Sequence, residues 1–465
     1  MSMVWLWTDF LLWILLFVLI WGVRSIRHSS QARKQWRKVF ESKMAMATGL
    51  ILAVYFAIAL IDSVHFKVHA PEAETAPSPW HALVEPALYD KTLSLFDLAT
   101  QHLMLSTERT YSAPFALQEY SSSVVYTEDG VSQAYLPLKY AGGHLSSPSE
   151  QMADIGLKSL YAFLIAFFIT LSIWLFHGYF RLRAFVFREP TQTYQALPWG
   201  TLYITLFFVL FTLTWLLYLS HFYHVLGTDK VGQDVLYQAF KAIRTGVMIG
   251  LLTTLVMLPL ALILGISAGY FKGWVDDLIQ YLYTTLNSIP GVLLIAAAVL
   301  VMQSLLNSHS DWFGSTEERA DMRLLFLILI LGVTSWTGLC RLLRAETLKI
   351  SQIEYVTAAK AFGLGGFSII RRHIMPNLLH LVLIALVLDF SGLVLAEAVL
   401  SYVGVGVDPT TPSWGNMINQ ARLEMAREPM VWWSLAAAFG FMFILVLAAN
   451  LFSDRVQWVL DPRAH

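Results

Sequence analysis

Blocks of about twenty apolar residues, separated by short polar and basic links, run along almost the whole of this chain. Nine of them lie at 4–22, 44–62, 157–178, 199–220, 246–269, 278–301, 324–343, 378–400 and 431–452. Each is long enough to cross the hydrocarbon core of a bilayer as a helix. The longest polar interruption, 63–156, is different in kind. It opens on a Pro/Ala-rich linker, PEAETAPSP at 71–79, and continues through a predicted helix around 83–104. A tyrosine-rich stretch with strand-like alternation follows over 119–140. At under a hundred residues, such an insert buries only a small core. The pattern predicts an all-α polytopic membrane protein of about nine transmembrane helices with a small α+β insert. Its parts are a transmembrane hairpin at 1–62, the insert at 63–156, a third span and linker at 157–198, and a six-span core at 199–465.

The basic residues orient the spans. Arg24, Arg27, Arg33, Lys34, Arg37, Lys38 and Lys43 follow the first block, and Arg181, Arg183 and Arg188 follow the third. Arg344, Lys349, Lys360, Arg371 and Arg372 follow the seventh. These links all fall on one side, which the positive-inside rule makes cytoplasmic. The insert has Lys67, Lys91, Arg109 and Lys139 against acids that include Glu72, Glu74, Asp90, Glu119 and Asp129, so it belongs outside. The N-terminus is then external and the C-terminus cytoplasmic. No basic run precedes the first block, which therefore reads as a reversed signal anchor rather than a cleaved signal peptide.

Composition narrows the chemistry. At 57% hydrophobic and 14% charged the chain is too apolar for a soluble protein of this length. A net charge of −1 supplies no electrostatic reason to bind nucleic acid. The single cysteine, Cys340, excludes an internal disulfide or a thiolate metal site. His221 and His224 stand three apart without further ligand spacing and read as loop residues, so no metal is expected. Gly265, Ser267 and Gly269 spell a hydrolase nucleophile elbow, but inside a span they read as small residues for close helix packing. No phosphate-binding loop occurs, so no catalytic site and no cofactor are expected on this chain.

Four segments carry functional signals. Residues 354–377 read EYVTAAKAFGLGGFSIIRRHIMPN. Tyr355, Ala359 and Phe362, at i, i+4 and i+7, predict a short helix with one apolar stripe. Ala358 and Ala359 leave room for a second surface, Gly363, Gly365 and Gly366 end the helix, and Pro376 suits the first turn of the next span. A plain basic loop between spans is the competing reading. In HVLGTDKVGQDV, at 224–235, Gly227 turns the chain and Thr228 or Asp229 caps a helix. Val235, Leu236, Ala239, Phe240 and Ile243 then give an amphipathic helix in the outer interface. In LAEAVLSYVGVGVDPTTPSWGNM, at 395–417, Gly404, Gly406, Pro409 and Pro412 predict a folded loop, with Trp414 in the aromatic belt. Asp389, deeper in the preceding span, is a candidate pathway residue, and Glu397 is either a substrate contact or a helix-packing group. Pro290, in SIPGVLL at 288–294, predicts a kink of the kind that suits a gate.

Residues 354–377 resemble the EAA loop of bacterial ABC-importer membrane subunits, the piece that docks into the cytosolic ATPase. The other three segments resemble the C-type membrane subunits of oligopeptide, dipeptide and nickel importers. In that family's GTDxxGxDV signature Gln233 stands where arginine is usual. The likeness covers about 199–465, with the coupling loop at 344–376. It implies a multi-pass permease of the bacterial inner membrane that forms half the path for di- or oligopeptides. Implied partners are a second permease subunit in a heterodimer, two cytosolic ATPases that hold ATP and Mg, and a periplasmic substrate-binding protein. ATPase coupling is implied for Glu354, Thr357, Ala358, Ala359, Gly363 and Pro376, with Thr357 where glutamate is common. The periplasmic signature falls on Gly227, Thr228, Asp229, Gly232 and Asp234, and the path or gate on Pro290, Asp389 and Glu397. A nickel or other small-solute permease and a secondary transporter are the alternatives. The insert, with Tyr111, Tyr120, Tyr126, Tyr135 and Tyr140, reads as an accessory rather than part of the pore.

Overall fold

The computed structural model describes residues 2–70, 83–127, 130–145, 147–186 and 197–460. The linker at 71–79 with Glu72 and Glu74, and also Asp129 and Arg188, lie outside the described residues. In chain order the first elements are β1 (Ser2–Val4), α1 (Trp7–His28), α2 (Ser30–Phe40), α3 (Lys43–Asp62), β2 (His65–Lys67), β3 (Thr92–Ser94), α4 (Leu95–Ala99) and α5 (Gln101–Leu105). There follow β4 (Ser123–Thr127), β5 (Gly130–Ala134), α6 (Gln151–Val186), α7 (Trp199–Leu219), α8 (Val235–Phe271), α9 (Trp274–Ser288), α10 (Gly291–Ser308) and α11 (Thr316–Ile350). The chain closes with α12 (Glu354–Ala361), α13 (Gly366–Ile369), α14 (Met375–Tyr402), α15 (Trp414–Glu424) and α16 (Trp433–Leu460). Among the described residues nine helices are long and apolar enough to span a bilayer: α1, α3, α6, α7, α8, α10, α11, α14 and α16.

Three elements differ from the sequence expectation. The sixth span runs over Gly291–Ser308, because Ile289 and Pro290 separate α9 from α10. Proline has no N–H and disfavours helical backbone in the residue before it, so the helix stops there. Pro290 is the cap of a new helix, its carbonyl accepting from the amides of Leu293 (2.9 Å) and Leu294 (3.1 Å), and is not a kink within one. Second, the amphipathic run from Val235 does not form a separate interfacial helix. It is the start of α8, and its apolar residues Val235, Leu236, Ala239, Phe240 and Ile243 are buried. Third, the helix expected around 83–104 is broken into a 3-10 turn at Pro86–Leu88, β3, α4 and α5. Asp90 takes a left-handed φ of 61°, and Ser94 with Asp97 forms a reciprocal capping box that starts α4 afresh.

Contacts divide the chain into two compact units. The first comprises Met1–Val4, Trp36–Arg244 and Pro412–Ala448; the second comprises Trp5–Gln35, Thr245–Thr411 and Ala449–His465. In the first, β1, β2 and β3 form an antiparallel sheet in which Met3, Phe66 and Leu93 are in register. Phe66, Val68, Val84, Leu88 and Leu93 make its small core. β4 and β5 form a hairpin within the alternating stretch. α6 packs along α7, with Phe163 edge-on to Phe207 at 5.4 Å and the indole of Trp215 donating to Ser159 Oγ at 2.9 Å. The insert belongs to the same unit as the start of α8, where Phe96 lies 5.9 Å from Phe240.

In the second unit α8 and α11 approach closely at small residues. A Cβ added at Gly265 would lie 2.8 Å from the Cys340 carbonyl oxygen, and one at Gly269 would lie 2.6 Å from Thr347 Cβ. The hydrolase-like spelling is therefore a packing stripe, as its place in a span predicts.

Candidate functional site

The coupling segment lies in the second unit. α12 ends in a Schellman turn: Leu364 N–H donates to Ala359 O (3.2 Å), Gly363 N–H donates to Lys360 O (3.0 Å), and Gly363 takes φ +79°. α13 and one π-helical turn at Ile370–Ile374 then lead into α14, with Pro376 in its first turn. Val356, Ala359, Ile369 and Ile374 are buried in one apolar cluster with Ala268, Leu343 and Ile350. The predicted stripe thus holds at Ala359 and fails at Tyr355 and Phe362. Val356 and Ala359 face inward, whereas Tyr355 is exposed and Phe362 is 89% exposed. Glu354, Thr357 and Ala358 are exposed as well, and Thr357 Oγ1 donates back to Glu354 O at 2.9 Å. Phe367, which sequence reasoning passed over, is 77% exposed beyond the turn. A glycine-broken loop with phenylalanine on each side was the available signal. Lys360 Nζ sits 4.7 Å above the Tyr270 ring, and Asn377 donates to Tyr355 OH at 3.0 Å. At the far end of α12's support, Arg344 grips Asp276 through Nε (2.5 Å) and Nη2 (2.7 Å) and holds that carboxyl below the usual carboxylate range.

The signature at 224–235 lies in the first unit and is a built turn. Gly227 takes φ +69°, where a Cβ would lie 2.4 Å from Ser112 O, and Gly232 takes φ +76°, where one would lie 1.8 Å from Glu108 O. Thr228 caps no helix. Its hydroxyl donates to Thr110 O (2.9 Å) and accepts from Ser112 N–H (2.7 Å), while its carbonyl accepts from the Trp433 indole (2.9 Å). Asp229 closes its own turn by accepting from the amides of Val231 and Gln233. Asp234 is the cap of α8, with Oδ1 2.8 Å from the Leu236 amide. Trp414 is buried rather than in an aromatic belt, its indole donating to Ala239 O at 3.2 Å.

His224 is a buried ion-pair member and not a simple loop residue. Its Nδ1 lies 2.7 Å from Asp234 Oδ2 and its Nε2 lies 3.5 Å from Glu108 Oε1. Burial alone would lower its pKa, but hydrogen bonding and charge from the two carboxylates outweigh that and raise it to about 9. The folded value lies above the ordinary 6.5. The stabilisation is therefore complete below pH 6.5 and is lost as pH rises to 9. Unfolding measured across that window should show a loss of up to about 1.4 kcal/mol per pH unit that His224→Asn lacks. Parallel profiles for the two proteins would remove the ion pair from the account.

A second buried cluster in this unit was not foreseen. Lys241 Nζ lies 2.7 Å from Asp62 Oδ1 and 3.0 Å from Asp97 Oδ1. Ser94 Oγ donates to Asp62 and Tyr237 OH donates to Asp97, at 2.6 and 2.8 Å. Burial would raise the Asp97 carboxyl, but the Lys241 charge, the Ser94 backbone amide and the Tyr237 hydroxyl hold it below its ordinary value. The cluster joins residues 62, 97 and 241, which no local pattern relates.

On α14, Asp389 is half-buried fifteen residues into the helix, whereas Glu397 is 2% exposed and accepts from Ser401 Oγ at 2.7 Å. The loop after α14 is tied by Asp408, which accepts from Arg323 at 3.0 Å. Pro290 is exposed between α9 and α10. Asp389 and Glu397 thus share α14, and Pro290 lies between α9 and α10. Among the described residues no group of three or more His, Cys, Asp or Glu is arranged to hold a metal ion.

The family model for the inner membrane component of binding-protein-dependent transport systems matches residues 261–465. The glutathione transport system permease protein GsiD of Pectobacterium atrosepticum is 30% identical over 242 residues, 52% of this chain and 73% of that one. The oligopeptide transport system permease protein OppC of Haemophilus influenzae is 30% identical over 242 residues, covering 52% and 71%. The dipeptide transport system permease protein DppC of Bacillus subtilis is 28% identical over 240 residues, covering 52% and 69%. Among solved structures, an inward-facing form of the MetNI methionine ABC transporter overlays with a TM-score of 0.36 at 17% identity, covering 48% of this chain and 96% of that one. That overlay is too loose to transfer detail. With nine candidate spans among the described residues and these relatives, the chain belongs to the inner membrane permeases of binding-protein-dependent ABC transport systems.

Proposed function

We propose that this chain is one of two membrane-spanning subunits of an ATP-driven importer and forms half of the path for di- or oligopeptides. The observation that carries the reading is the coupling segment. A buried anchor of Val356, Ala359, Ile369 and Ile374 holds a Schellman turn that presents Phe362 and Phe367 to solvent. Exposed phenylalanines on a rigidly backed turn fit the anchor-in-pocket arrangement of protein interfaces. The receiving surface is assigned to a cytosolic ATPase, which holds the ATP and Mg, and the stroke is passed as rigid-body movement of helices. The sister subunit is a second permease in a heterodimer, and a periplasmic binding protein delivers the peptide. The positive-inside bias supports an external N-terminus and a cytoplasmic C-terminus. Peptide cargo rests on the names of the relatives above.

The test is ATP hydrolysis by the complex reconstituted with its ATPases and binding protein, screened over di-, tri- and oligopeptides. Peptide-stimulated hydrolysis that needs this chain supports the assignment. Stimulation by nickel or another small solute and by no peptide overturns it.

A further inference from the structure

Asp389 is a carboxylate inside a span that supplies it with no counter-charge. The span runs from Leu381 to Tyr402, so Asp389 stands about 12 Å of helix from one end and about 20 Å from the other. No basic residue occurs between those ends. Among the described residues Asp389 has no hydrogen-bond or ion-pair partner. Arginines of the same compact unit are engaged elsewhere: Arg323 and Arg344 pair with Asp408 and Asp276, and Arg341 lies over the Tyr283 ring. Glu397, two turns on, is by contrast buried and accepts from Ser401.

The surroundings of Asp389 on its own helix are open. Leu388, Gly392, Leu395 and Val399 recur at intervals of three and four and form an exposed stripe along α14. Asp389 lies half-buried at the border of that stripe. A Cβ built at Gly392, one turn beyond Asp389, meets nothing within 4 Å. A charge is costly in hydrocarbon, and ionisable groups within spans face partners or water-filled paths.

We propose that Asp389 is a specificity residue of the permeation path, holding the amino-terminal ammonium of a passing peptide. The assignment rests on the peptide-importer reading. Di- and oligopeptides differ in their side chains but share one cation, the α-ammonium, so a single carboxylate serves them all. No internal cation competes for Asp389, so the ion pair forms when cargo arrives and dissolves when it leaves. The bare backbone at Gly392 leaves room for the peptide main chain beside the carboxylate.

The test is equilibrium binding of a tripeptide, with its amino terminus free or acetylated, to the purified complex of both permeases and both ATPases. The binding protein is omitted, which removes its own preference from the measurement. Wild type should prefer the free peptide about tenfold, the weight of one charge-assisted hydrogen bond. Asp389→Asn should weaken binding of the free peptide about tenfold and leave the acetylated one unchanged, whereas Asp389→Glu should keep the preference. No binding or equal affinities in wild type, or an equal fall for both peptides in the asparagine variant, overturn the role. So does loss of the sister subunit from that variant, which would assign the carboxylate to a cation of the sister subunit. Uptake by the complete importer separates the two readings. Peptide uptake with a preference that Asp389→Asn does not change strikes this inference alone. Absence of any peptide uptake strikes the importer reading and this inference together.

Discussion

Lys241→Met is expected to lower stability by about 3–5 kcal/mol, the cost of leaving buried carboxylates without their cation. Lys241 is the cation between Asp62 and Asp97, whose side chains are 2% and 6% exposed. Methionine keeps the length and the apolar stem but removes the charge. One carboxyl must then take up a proton or draw water into the site. Because Asp97 belongs to α4 and Asp62 ends α3, the loss should loosen the sheet-bearing insert from the start of α8. The measurement is thermal unfolding of the purified protein together with protease sensitivity of residues 83–145. Combining Lys241→Met with Asp62→Asn and Asp97→Asn should recover much of the loss, since no net charge is then buried. An unfolding midpoint unchanged in the single variant would show that the cluster contributes no net stability.

Gly363→Trp should abolish transport while leaving membrane insertion and level unaffected. The site has open space for a Cβ, so the substitution meets no clash at that atom. The cost is conformational: φ of +79° is left-handed, and a residue with a Cβ gives up about 1–2 kcal/mol there. Relaxing the turn moves Phe362 and Leu364 and breaks the two capping hydrogen bonds from Gly363 and Leu364. At about 1.4 kcal/mol per tenfold, that misplacement alone lowers docking affinity about tenfold, and the indole adds steric obstruction. Pull-down of the ATPase subunits and peptide uptake in vesicles check it. Gly363→Asn, which tolerates the left-handed region, should keep substantial transport. Normal uptake by the tryptophan variant would mean that this loop does not couple ATP to transport.

The helical membrane class, the count of candidate spans and the broken coupling segment were legible in the sequence because each depends on local periodicity and composition. The loop at 403–413 was legible for the same reason, since Gly404, Gly406, Pro409 and Pro412 exclude continuous helix whatever surrounds them. The errors are instructive. Tyr355 and Phe362 share helical spacing with Ala359, but periodicity names a stripe without saying which stripe is covered. Trp414 had the composition of an interfacial anchor, yet α8 offers its indole the carbonyl of Ala239. Pro290 read as a kink because the apolar run continues on both sides of it, although the backbone ends one helix there and starts another.

By itself, then, the sequence determined the number of candidate spans and the places at 363–366 and 403–413 where glycine and proline break helix, but not the bounds of the sixth span or the breaks within 83–104. Those properties follow from a residue and its near neighbours. Only the tertiary structure decided which distant residues answer one another. Thr228 is satisfied by Thr110 and Ser112, His224 by Asp234 beside Glu108, and Lys241 by Asp62 and Asp97. The reason is physical. A buried polar group must find a donor, acceptor or counter-charge, but the requirement says nothing about where along the chain that group comes from.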